Sequence, residues 1–187
     1  MSKKVLVPLA EGFEEMEAIA IVDILRRGNI EVVTASLTDN LEVSSARHVI
    51  VKADTILSKV LEENFDGIAL AGGMGGMANL KGDNRILDLI RKLYNSEKLV
   101  AAMCASPIVL GEAGVLHGKF TCFPSLSGDV NGNGTYQEKD LVCIEKNVIT
   151  SKGPATAILF ALAIVDYLTG SDNKELRNAL LTPLVFK

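Results

Sequence analysis

Short apolar runs alternate with helix-patterned segments from one end of this chain to the other. Lys4–Ala10 (KVLVPLA) reads as a buried strand, and Glu14–Arg27 reads as a helix stopped by Gly28-Asn29. Ile30–Ser36 and Val49–Ala53 read as strands, Thr55–Glu63 as a helix, and Gly67–Ala71 (GIALA) as a buried strand ending at Gly72-Gly73. Asp83–Tyr94 is an amphipathic helix, Leu99–Met103 (LVAAM) a strand, and Pro107–Ala113 a helix. Lys119–Phe123 and Leu141–Glu145 read as strands around a polar loop with Asn131-Gly132-Asn133-Gly134. Val148–Ser151 is a strand ending near Gly153-Pro154, Ala155–Leu168 an apolar helix stopped by Gly170, and Asn173–Leu181 a last helix.

Strands alternating with helices predict a parallel sheet with right-handed crossovers. The expected fold is one doubly wound α/β domain over residues 1–187, with helices on both faces of a mostly parallel sheet. No repeat, linker or low-complexity segment divides the chain, and 187 residues suffice for a full core without disulfides or metals. A mean hydropathy of +0.28 agrees with strands buried on both faces. In this architecture ligands sit beyond the carboxyl ends of the strands. The places to search are Glu11-Gly12, Gly72-Gly73, Cys104 and Ser151–Pro154.

Composition excludes several classes. A net charge of −4 gives no basic footprint for nucleic acid. The N-terminal apolar run is too short for a signal segment or a membrane span. Three cysteines without a C-x-x-C pair, and two distant histidines, supply neither a disulfide framework nor a local zinc motif. The expectation is a cytoplasmic protein whose thiols stay reduced.

Cys104 is the leading chemical candidate. It lies where a buried strand meets a turn and a helix begun near Pro107. Backbone N–H groups and a helix N-terminus there would stabilise a thiolate, lowering the pKa from about 8.5 toward about 3.5–7.5. The competing reading is a small buried hydrophobe. Cys122 and Cys143 lie within apparent strands, and core packing accounts for both. Glu14, Glu15 and Glu17 open the first helix, where acids offset the helix dipole. Spacing to Ile21, Ile24 and Leu25 leans Glu14 and Glu17 toward the core and points Glu15 outward with Arg26. A carboxyl on that face would have a raised pKa and could act as a general acid/base, and periodicity alone does not choose between Glu14 and Glu17. Gly72-Gly73-Met74-Gly75-Gly76 offers N–H groups for an oxyanion, although a tight turn explains Gly75 and Gly76 equally well. It lacks the register of a nucleotide-binding loop. Ser151-Lys152-Gly153-Pro154 is an ordinary helix start at the same edge. Arg47 and His48 read as surface residues.

These residues resemble the ThiJ/PfpI superfamily, in its DJ-one and YajL-like branch. The matching stretches are VLVPLAEGFEEMEA (5–18), VDILRRGNIEV (22–32), DGIALAGGMGGMANL (66–80), LVAAMCASP (99–107), ITSKGPATAILFALAIVDYLTG (149–170) and LLTPLV (180–185). EGFEEMEA and AAMCASP are the most specific. The resemblance implies a flavodoxin-like fold and a homodimer. It implies Cys104 as nucleophile, Glu17 as its carboxyl partner, and the Gly73 and Ala105 N–H groups as the oxyanion site. It also implies Arg47 and Arg27 as basic residues near the pocket or the dimer contact and, with Phe123, as candidate substrate contacts. Phe123 stands where human-type relatives carry histidine, which argues against a Cys–His protease. His117 reads as loop. The implied activity is cofactor-free, metal-free conversion of reactive α-oxoaldehydes, as in a glyoxalase or the debated protein deglycase. The rival is a redox sensor or chaperone whose Cys104 is oxidised to sulfinic acid. A third reading is a dimeric domain without an active thiol. No membrane or sequence-specific nucleic-acid partner is expected.

Overall fold

The computed structural model describes residues 2–170 and 174–185. A seven-stranded sheet organises it. In chain order its strands are β1 (Lys4–Leu9), β2 (Glu31–Ser36), β5 (Thr55–Ile56), β6 (Gly67–Leu70), β7 (Leu99–Met103), β10 (Val142–Glu145) and β11 (Val148–Ser151). Their spatial order is β10-β11-β7-β6-β1-β2-β5. Only the β10–β11 pairing is antiparallel; the other pairings run parallel. Two small sheets lie outside it: the hairpin β3 (Glu42–Ser44) with β4 (Ile50–Lys52), and the pair β8 (His117–Phe120) with β9 (Asn133–Tyr136).

The central strands carry apolar side chains on both faces because helices cover both. On one face α1 (Glu15–Arg27) and α5 (Ala157–Thr169) pack Ile21, Ile24, Leu25, Phe160 and Ile164 against Val5, Val7 and Met103. On the other, α2 (Met74–Lys81), α3 (Asn84–Asn95) and α4 (Pro107–Glu112) pack Leu80, Ile86, Ile90, Val109 and Leu110 against Leu6, Ile68 and Val100. A last helix, α6, spans Lys174–Leu181. No helix of the described residues is long and apolar enough to cross a membrane.

The doubly wound α/β expectation holds. From β1 the chain moves outward to β2 and β5, then returns to the opposite side of β1 as β6. The order of strands therefore reverses between β1 and β6, and their carboxyl ends open a crevice at that point.

Several local expectations fail for physical reasons. Thr55–Glu63 is not a helix. Thr55 and Ile56 are drawn into the sheet against Ala35 and Ser36, and only Leu57–Lys59 makes a helical turn, of the 3-10 type. Gly75 and Gly76 are not a plain turn but the first turn of α2. A β-carbon on Gly76 would lie 2.8 Å from the Phe13 Cα, so the composition that hides this helix also lets it approach the chain beyond β1. His117 opens β8 rather than lying in a loop, and Asn133-Gly134 belongs to β9. β8 ends at Phe120, before Cys122. The start expected for the last helix, Asn173, lies outside the described residues.

Candidate active site

Cys104 follows the last residue of β7 and adopts φ 61°, in the left-handed region. A non-glycine residue there costs on the order of 1–3 kcal/mol and persists only when its surroundings fix it. Those surroundings are on both sides. Cys104 N–H donates to the Ser151 carbonyl at 2.9 Å, and the Cys104 carbonyl accepts from Phe123 N–H at 2.8 Å. One residue on, the buried Ser106 Oγ donates to the Ala71 carbonyl at 2.6 Å. The strand-to-helix elbow is thus pinned to β11, to the segment after β8, and to the end of β6.

Gly72 is the residue across from this elbow. β6 and β7 pair Leu70 with Ala102, so the same register brings Gly72 opposite Cys104. A β-carbon on Gly72 would lie 2.5 Å from the Cys104 Cβ and 2.9 Å from Glu17 Oε2. No side chain fits. Both backbone groups of Gly72 are committed to the start of α1: its N–H donates to Glu17 Oε2 at 2.7 Å, and its carbonyl accepts from Glu14 N–H at 2.9 Å. Gly73 has φ 88°, and a β-carbon there would meet the Gly12 carbonyl oxygen at 2.3 Å.

The acids at the start of α1 now separate. Glu14 is the N-cap, and its Oε2 accepts from Glu17 N–H at 2.7 Å. Glu17 stands at N3, where a capping box would turn its carboxyl back to the cap N–H. Here that N–H is taken by Gly72, and the Glu17 carboxyl reaches Gly72 N–H instead. Glu17 is 0% exposed. Its Oε1 has no conventional hydrogen-bond partner, and the side chain it interacts with is Cys104. Glu15 does not point outward with Arg26 as expected: it is half-buried, and its Oε2 is enclosed.

The electrostatics couple the pair. Burial, resisted by the Gly72 hydrogen bond, raises Glu17 from 4.5 to about 7. Burial and then the Glu17 charge push the Cys104 thiol up, from 9.0 to about 12, while the Gly73 and Ala105 N–H groups pull the other way. The expectation of a thiol lowered on its own is therefore corrected, because the thiol is buried and a carboxyl lies beside it. Above about pH 7 the pair holds one negative charge, either as thiol beside carboxylate or as thiolate beside protonated Glu17. The second form is nucleophilic, and the Gly73 and Ala105 N–H groups favour it. Helix α4 has only six residues, so these two N–H groups matter more than a helix dipole.

A cavity of about 550 Å³ opens over the sulfur. Glu14, Arg47, Gly73, Met74, Cys104, Ala105, Phe123, Leu126 and Pro154 are among its walls. Cys104, Glu17, Gly73, Ala105, Arg47 and Phe123 therefore come together. Arg27 does not. It lies at the far end of α1, about 15 Å along the axis from Glu17 by helical rise. There it pairs with Asp23 at 2.7 Å. Its position at the C-terminal end of the helix, one turn after an acid, accounts for it. Cys122 and Cys143 are buried, as expected, although Cys122 follows β8 rather than lying in it. Sequence reasoning singles out Gly72 as a strand end with free N–H groups but not its hydrogen bond to Glu17, and it does not assign Glu14's cap or Ser106. A signal for Gly72 exists: it lies two residues beyond β6, at the carboxyl end of a buried strand.

Comparison with known proteins fits this geometry. Residues 3–167 match the model of the DJ-1/PfpI family. The chain belongs to that family. It is 41% identical over 184 residues to protein dj-1beta of Drosophila melanogaster, covering 97% of this chain and 98% of that one. The crystal structure of Drosophila DJ-1beta superposes with a TM-score of 0.94 at 37% identity, covering all of both chains. The chain is also 36% identical over 183 residues to the glutathione-independent glyoxalase DJR-1.2 of Caenorhabditis elegans, covering 98% of this chain and 95% of that protein.

Two predictions test the family site in this chain. Glu17 binds its proton more tightly folded than unfolded, so folding is favoured below about pH 4.5 and that advantage is lost as pH rises through about 7. The loss is about 3 kcal/mol at 1.36 kcal/mol per pKa unit. Urea denaturation across this range is expected to show the decline in the wild type and a flatter profile in Glu17→Gln. Gly72→Ala is expected to cost about 1–3 kcal/mol by overpacking, measured in the same way, and to slow alkylation of Cys104 by iodoacetamide.

Proposed function

We propose that this protein converts α-oxoaldehydes such as methylglyoxal to 2-hydroxy acids without glutathione, with Cys104 as nucleophile. The observation that carries the reading is a buried carboxyl held against an open thiol at the floor of a cavity. The similarity to a glutathione-independent glyoxalase supports the same class.

The Cys104 thiolate attacks the aldehyde carbon, forming a C–S bond and an oxyanion. The Gly73 and Ala105 N–H groups are placed to accept that charge. Protonated Glu17 supplies the proton that makes the hemithioacetal. As a carboxylate it then removes the hydrogen from the former aldehyde carbon, giving an enediol(ate). Returning a proton to the neighbouring carbon leaves a thioester of the 2-hydroxy acid. Water cleaves the thioester, which releases the acid and restores the thiol. Every proton removed is returned, and the net co-reactant is one water. A Glu17 pKa of about 7 suits a group that must both give and take a proton at neutral pH. Arg47 stands at the rim, where its cation would attract the carbonyl oxygens and the carboxylate product.

Lactate release from methylglyoxal, followed enzymatically, is the test. It is expected to vanish in Cys104→Ser. In Glu17→Gln it is expected to fall by about 10²–10⁴-fold, the usual worth of a general acid/base. Normal turnover in Cys104→Ser would overturn the mechanism.

The chain is further read as a homodimer. Met16 and Ile19 of α1 are exposed large apolar residues, as are Val49 and Ile50 at the β3–β4 hairpin. The hairpin is tied to the start of α1 by Gly12 N–H on the Ser44 carbonyl at 2.8 Å and Ala46 N–H on the Phe13 carbonyl at 2.7 Å. Such a grouping marks an interaction surface. Sedimentation is expected to give a dimer, and Ile19→Asp with Ile50→Asp a monomer. The three cysteines are unpaired, which suits a reducing, cytoplasmic setting.

A further inference from the structure

The cavity is far larger than methylglyoxal needs. About 550 Å³ falls in the range of about 300–1,000 Å³ that holds drug-sized ligands. Beyond its two carbonyls, methylglyoxal carries a single methyl group.

The surplus space has an apolar character fixed by the same backbone that holds the nucleophile. Phe123 N–H donates to the Cys104 carbonyl, so the residue is anchored one hydrogen bond from the reacting cysteine. Phe123 precedes the 3-10 turn Pro124–Asp129, and its carbonyl accepts from Leu126 N–H at 2.9 Å. Leu126 is thereby held beside it as a second wall residue. A β-carbon on Gly153 would lie 3.5 Å from the Phe123 ring, which places the ring over the turn before Pro154. Met74 follows Gly73, whose N–H favours the Cys104 thiolate. Met74 and Phe123 nevertheless remain 58% and 42% exposed. Two large apolar side chains thus flank the thiol, held near it and left facing water. The polar wall residues Glu14 and Arg47 come from different segments, the start of α1 and the β3–β4 hairpin.

We propose that the site prefers 2-oxoaldehydes bearing a bulky apolar substituent, and that Phe123 is the specificity-determining residue. The proposal rests on the glyoxalase reading for its reaction, though not for its binding geometry. With the thiolate on the aldehyde carbon, the substituent on the adjacent ketone carbon lies along Phe123, Leu126 and Met74. A methyl group leaves those side chains in water, whereas a phenyl or branched alkyl group covers them. Hydrophobic pockets discriminate in this manner, by about 10–200-fold for each methylene-sized difference. The chemical steps and their proton balance are those given above, since the substituent takes no part in bond-making.

The test compares phenylglyoxal with methylglyoxal in the wild type, Phe123→Ala and Phe123→Leu. Taking each variant's ratio of kcat/KM for the two substrates removes their intrinsic difference in reactivity. Phe123→Ala is expected to lower the phenylglyoxal-to-methylglyoxal ratio about tenfold or more, mainly through KM, and Phe123→Leu to restore part of it. A second readout needs no turnover: alkylation of Cys104 by N-phenyl iodoacetamide relative to iodoacetamide, followed by intact mass. That ratio is expected to fall in Phe123→Ala in parallel. Turnover of both glyoxals with ratios unchanged by Phe123→Ala overturns the proposal. If neither glyoxal is turned over but the alkylation ratio still depends on Phe123, the glyoxalase reading fails and the apolar selectivity stands.

Discussion

Gly72 is where the two halves of the fold meet at van der Waals contact. Its N–H binds the Glu17 carboxyl, its carbonyl holds the first N–H of the helix start, and its missing side chain leaves room for Cys104. Glu17 comes from the crossover after β1, and Cys104 from the end of β7. They become neighbours because β6, whose chain runs on through Ala71 to Gly72, lies between those strands in the sheet. The reversal of strand order beside β1 sends α1 to one face and α2–α4 to the other. The crevice that this opens is lined by backbone from both directions. A carboxyl and a thiol can be buried together there because neither keeps a full charge independently of the other.

The geometry also distributes the support of Cys104. Cys104 sits in a conformation a cysteine does not favour, and four contacts hold it: β11 through Ser151, the segment after β8 through Phe123, β6 through Ser106 on Ala71, and Glu17. Strain at a reactive residue is tolerable when it is determined from several sides at once. Each support arises from a different stretch of chain, so the elbow forms only when the sheet is complete.

Much of this was legible in the sequence. β7 and β11 were delimited to the residue, and β1 to within one, because strands buried on both faces write continuous apolar runs. Cys104, Glu17, Gly73 and Ala105 followed from the strand-end rule and the family resemblance. What escaped was structure made by close approach. Helix α2 is hidden in MGGMANLK, since glycines needed for contact with Gly12 and Phe13 depress helix propensity. The helix expected over Thr55–Glu63 lost to two residues of strand pairing. The thiol shifts upward because burial, and then the charge of Glu17, outweigh two N–H dipoles, and neither burial nor proximity is written in spacing. Arg27 stands apart from the cavity because a helix separates its two ends by many ångströms while the sequence separates them by a few letters.

The link between Phe123 and Cys104 has one more implication. It runs from backbone to backbone, so the side chain at position 123 is not what holds Cys104 in place. A substitution there changes what the pocket meets and leaves the elbow where it was. Positions of this kind can take one side chain or another without rebuilding the elbow around Cys104. The fold thereby separates the part of the site that can drift from the part that must stay fixed.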